Sequence, residues 1–141
     1  MEFDPSNNVV KLCAQGMDME GKGRHEEAFT FFLQAWNEAT NDLEKLIAAH
    51  YVARHQKTVS DKLEWDEAAL KLALQIDDDA VKETLPSLYL NIAKCHEDLN
   101  DPDNAKRNYS LALSFANYLP DNGYGKMVKG GIMKGLERVS Q

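Results

Sequence analysis

A spaced pattern that occurs twice constrains this chain more than any other feature. Gly16, Ala28, Phe32 and Ala35 are separated by twelve, four and three residues, and Ala93, Ala105, Tyr109 and Ala112 repeat that spacing. Residues three and four apart share one face of a helix. Small residues set this far apart, with an aromatic between the last two, predict two closely packed antiparallel helices. A repeated helix pair points to a solenoid, and solenoids bind other molecules far more often than they transform them.

The rest of the chain agrees. Helical periodicity runs from about Asn7 to the end, with no strand-like alternation. Seven helices are expected. The first covers about Asn8 to Glu20 and stops at Gly21-Lys22-Gly23, because glycine readily takes the left-handed backbone that ends helices. The second spans about His25 to Thr40. Asn41 or Asp42 caps the third, which continues to about Thr58. Ser60 is the expected cap of the fourth, whose inward side is Leu63, Ala68, Leu72 and Ile76. After the acidic break Asp77-Asp78-Asp79, the fifth helix either starts near Thr84 or begins near Ala80 and kinks at Pro86. The sixth starts at Asp101-Pro102 and runs to about Tyr118. The seventh, Tyr124 to about Val139, carries Gly130, Gly131 and Gly135, each worth roughly 1 kcal/mol less than alanine.

Composition narrows the class. A chain of 141 residues with 43% apolar and 28% charged content is expected to form one globular domain over 1–141, with no linker long enough to divide it. The net charge of −7 opposes nonspecific binding to a phosphate backbone. The opening MEFDPSNNVV has no basic leader region, and nothing later approaches the roughly 18 apolar residues of a membrane span. Two isolated cysteines, Cys13 and Cys95, point to reduced thiols and a cytoplasmic location.

These residues resemble the tetratricopeptide repeat, a helix–turn–helix unit of about 34 residues. Leu12, Gly16, Gly23, Ala28, Phe32 and Ala35 match the first unit. Tyr89, Ala93, Asn100, Ala105, Tyr109 and Ala112 match the third, with Asn100 replacing the turn glycine because asparagine tolerates the left-handed region. The middle unit fits through Ala49, Ala53, Ala68 and Leu72, with a three-residue insertion around Lys57 to Asp61. The resemblance implies an all-α, right-handed solenoid. Its three irregular repeats cover about 8–40, 42–77 and 80–118, and a helix at 124–139 caps the end.

It also implies a concave groove lined by the first helix of each pair. Helical spacing puts Val10, Cys13, Met17 and Glu20 there from the first unit, Ile47, His50, Arg54 and Lys57 from the second, and Ser87, Leu90, Asn91, Lys94 and Glu97 from the third. The candidate site is therefore Met17, Ile47, His50, Arg54, Lys57, Leu90, Asn91 and Lys94, apolar at one end and cationic at its centre. Such a groove suits a protein or peptide segment, with an acidic one matched to Arg54 and Lys94. The lysine, asparagine and arginine clamp with which some members hold chaperone tails is absent. Cys13, Met17, Tyr51, Ser87 and Asn91 stand in its places.

No motif carries chemistry. His96-Glu97 and His25-Glu26 begin like a zinc-protease signature, but Asn100 and Phe29 fill the second histidine's place. His50 and His55 are roughly 140° apart around a helix and do not share a metal. There is no phosphate loop and no nucleophile elbow. The expectation is a non-enzymatic adaptor without cofactor, metal, nucleic acid or membrane. The alternatives are an enzyme or small-ligand site around His50, Arg54 and Asn91, and a module that self-associates.

Overall fold

The computed structural model describes residues 4–141; the first three residues of the opening read for a leader lie outside them. Every regular element among the described residues is helical. Their contacts form two compact units, one ending at Ile76 and the other spanning Asp77–Gln141.

The first unit contains α1 (Asn8–Gly21), α2 (His25–Glu38), α3 (Asp42–Ala53) and α4 (Val59–Leu74). Asn7 starts α1 by accepting the amides of Val9 at 2.8 Å and Val10 at 3.1 Å, groups with no partner inside a helix. The end of α1 folds back on itself. The Arg24 amide donates to the Met19 carbonyl at 2.9 Å and the Gly23 amide to that of Glu20 at 3.0 Å. Gly23 stands at φ 74°, the left-handed backbone that such a closure requires. Two helices of 14 residues joined by so short a turn run back alongside each other. Ala28, Phe32 and Ala35 of α2 are fully buried, and Gly16 gives the Phe32 ring its room. A Cβ at Gly16 would stand 2.3 Å from Phe32 Cε1.

Next, α3 packs against both α1 and α2. Asn41 is its cap, accepting the Glu44 amide at 2.8 Å, and Tyr51 stacks on Phe32 with ring centres 5.0 Å apart. The helix ends at Ala53, well short of Thr58. Arg54 and His55 turn out of it to reach Glu20, and the Gln56 side chain donates to the Val52 carbonyl at 3.1 Å. Thr58, not Ser60, caps α4 by accepting the Asp61 amide at 3.1 Å. The buried face of α4 is Asp66, Ala69 and Ala73, one position on from the expected Ala68 and Leu72, which are only half-buried. Trp65 meets Trp36 edge to face at 5.0 Å. Seating Trp65 this way brings the positions four and eight residues on, Ala69 and Ala73, to the same side.

The second unit begins with a single turn, α5 (Asp79–Lys82), followed by α6 (Leu85–Asp98), α7 (Pro102–Ser114), a 3-10 turn Ala116–Tyr118 and α8 (Gly123–Val139). Pro86 sits in the first turn of α6, where its missing N–H leaves no bond unmade. The chain before it forms α5 instead of extending α6. The end of α6 repeats that of α1. The Asp101 amide donates to the His96 carbonyl at 2.9 Å, and that of Asn100 to Glu97 at 3.1 Å. Asn100 stands at φ 61° and is alone in this among the described non-glycine residues. Ala93, Ala105, Tyr109 and Ala112 are fully buried. Finally, α8 packs against both α6 and α7. A Cβ at Gly135 would stand 2.2 Å from the Tyr109 ring, and one at Gly131 would be 3.3 Å from Leu90 Cδ2.

Candidate binding surface

The candidate residues fall in two sets, one on each unit. On the first, Met17 is exposed on α1, whereas Ile47 is 6% exposed and belongs to the core formed by α1, α2 and α3. Cys13, expected in the groove, is a core residue too. The packing of α3 onto both helices of the first pair covers this face of α1. Burial pushes the Cys13 thiol up to about 12, which disfavours the thiolate at neutral pH.

His50 is half-buried beside the Tyr51 ring. Burial first, then the nearby charges of Arg54 and Lys62, pull its imidazole down to about 4. It is therefore neutral at pH 7 and can accept a hydrogen bond. Arg54 is not an open anion receptor. Its Nη2 donates to Glu20 Oε1 at 2.7 Å, and His55 Nε2 lies 2.7 Å from the other oxygen of the same carboxylate. The guanidinium also lies over the Tyr51 ring, 5.1 Å from its centre. Lys57 is exposed, in the connection between α3 and α4.

On the second unit all three candidates lie on α6. Leu90 is 7% exposed, Asn91 is half-buried and Lys94 points outward. Glu97, also expected in the groove, is engaged within the unit. It accepts the Tyr109 hydroxyl at 2.7 Å and Arg138 Nε at 2.8 Å. Arg138 first, then the Tyr109 hydroxyl, holds the Glu97 carboxyl below the usual carboxylate range. Burial, reinforced by Glu97, pushes the Tyr109 phenol up to about 12.

The two engaged carboxylates are what sequence reasoning missed. Glu20 and Glu97 are 77 residues apart, the same separation as Gly16 from Ala93 and Phe32 from Tyr109. Each closes the first helix of a pair and captures an arginine from just beyond α3 in the first unit and from α8 in the second. Extending the repeated pattern by one more position would have found both.

Among the described residues, no three metal-ligating side chains gather to hold an ion, and no helix is long and apolar enough to cross a membrane. No protein-family model, no curated protein and no solved structure matches this chain.

Proposed function

We propose that this chain is a short, right-handed solenoid of the tetratricopeptide type that binds a protein or peptide segment and performs no chemistry of its own. Its repeats would span about 8–40, 42–77 and 80–118, with 124–139 as the closing helix and the cytoplasm as its location. One observation carries the reading: α3 nests against both α1 and α2, and α8 against both α6 and α7. A helix seated on both members of the preceding pair is how stacked pairs bury their apolar faces.

The exposed candidates are Met17, Arg54, Lys57 and Lys94. Arg54 already holds Glu20, so a charge reversal there would strand two carboxylates side by side and report on stability rather than on a ligand. Lys57→Glu combined with Lys94→Glu is the cleaner variant. The probe is a synthetic, unstructured nonapeptide rich in glutamate with two leucines, followed by calorimetry. The double variant is expected to lose about tenfold in affinity, about 1.4 kcal/mol, with an unchanged circular dichroism spectrum. No binding to the wild-type protein, or equal binding to both, overturns the acidic-segment reading.

A further inference from the structure

The inner face of α8 is accounted for. Gly125, Val128, Ile132 and Gly135 are buried. The opposite face is not. Met127 is 67% exposed and Met133 51%, and helical geometry places Lys126, Gly130 and Lys134 between them, with Glu137 at the C-terminal end of the same face.

Gly130 is the unusual member of this face. Gly123 stands at the start of α8; of the glycines further in, Gly125 would strike the Pro120 carbonyl and Gly135 the Tyr109 ring with any side chain, and Gly131 would press tightly on Leu90. A Cβ at Gly130 would meet nothing within 4 Å. Alanine there would favour the helix, so the glycine weakens α8 without a packing gain inside the protein. A missing Cβ in the middle of an exposed face allows another backbone to approach closely.

Charge indicates what would approach. Four cations on α8, Lys126, Lys129, Lys134 and Arg138, stand against Glu137 alone. The helix thus carries +3 in a chain of net −7, and the remainder carries −10. Arg138 is held by Glu97, while Lys126, Lys129 and Lys134 have no carboxylate within ion-pair distance among the described residues. A second copy related by a two-fold axis would set these lysines against their own images, which like-charge repulsion opposes.

We propose that the outer face of α8 docks an acidic amphipathic helix from another protein. The incoming helix lays its apolar stripe across Gly130, between Met127 and Met133, and its flanking carboxylates meet Lys126, Lys129 and Lys134. Methionine suits such a contact because its unbranched, polarisable side chain adapts to the surface it meets. Neither Lys57, between α3 and α4, nor Lys94, on α6, belongs to α8.

The test uses a synthetic 21-residue helical peptide with leucines at heptad positions a and d and glutamates at the flanks, labelled for fluorescence anisotropy. Two parallel probes are the same peptide with lysine for glutamate, and vesicles of phosphatidylcholine and phosphatidylserine. The acidic peptide is expected to bind, more weakly as salt rises, and the lysine peptide not to bind. Lys126→Glu with Lys134→Glu should lower affinity about tenfold or more. Gly130→Leu should do likewise while leaving the melting temperature unchanged or higher, since open space surrounds it. Lys57→Glu with Lys94→Glu should change nothing here, which separates this surface from the one proposed above. The proposal is overturned if the acidic peptide fails to bind or binds the α8 variants equally well. It is also overturned if only the vesicles bind, or if the protein dimerises through this face and Met127→Asp breaks the dimer.

Discussion

The two units place an aromatic ring at the same point and surround it differently. In the first, Phe32 lies over a glycine on the first helix, Gly16, and stacks on a ring from the third, Tyr51. In the second, α6 carries a buried alanine, Ala93, and the glycine that makes room for Tyr109 comes from α8, Gly135. The small residue has moved across the ring from one neighbour to the other. What is retained is filled space at a three-helix junction, as close packing demands. The polar contacts differ as well. Phe32 has no hydroxyl, and Glu20 takes its second partner, beside Arg54, from the His55 ring. Tyr109 supplies its own donor to Glu97, beside Arg138.

Removing the rings tests this comparison most severely. Phe32→Ala and Tyr109→Ala should each cost about 3–5 kcal/mol in urea unfolding. The Tyr109 variant should lie at the upper end because it also withdraws a donor from Glu97. Equal costs would show that the hydroxyl contributes little. Filling the clearances comes next. Gly16→Ala and Gly135→Ala each drive a methyl into a ring and should cost about 1–3 kcal/mol. If either leaves the melting temperature unchanged, the ring at that junction has room to shift and the packing rule is looser there.

Tyr109→Phe isolates the hydroxyl. It should cost about 1 kcal/mol and make the second unit resemble the first. Glu97 would then lose one of the two contacts holding its carboxyl low, so the acid limb of a stability–pH profile should move to slightly higher pH. The last test belongs to the first unit alone. The folded-state value of His50 near 4 lies below its ordinary 6.5, so between those values the unfolded chain binds more protons. Stability should therefore fall as pH drops from about 6.5 toward 4. His50→Gln should flatten that part of the profile relative to wild type. An unaltered slope would mean that other groups produce it.

Local signals in the sequence were legible. Gly23, Asn100, Asp101 and Pro102 mark helix ends through backbone preferences and side-chain caps that act within a few residues. The repeated small and aromatic positions marked the buried faces of α1, α2, α6 and α7. Register and burial set by distant residues were not legible. The rotation of α4 depends on Trp65 meeting Trp36, and α3 stops at Ala53 because Arg54 and His55 turn toward a carboxylate 34 and 35 residues earlier. Cys13 and Ile47 look like groove residues on an isolated helix and are core residues once α3 is in place. Arg54 looks like a receptor until Glu20 is beside it. Each of these misses concerns a partner far along the chain, which periodicity alone does not supply.

The hairpin turns at Gly23 and Asn100 have a consequence for synthesis. Each joins helices that are neighbours in the chain, within 8–38 and 85–114, so each pair brings its small and aromatic residues together before the helix that completes the junction arrives. Local closure of this kind is fast. A pair can thus form while the ribosome is still adding the next helix, which then covers the apolar face left open.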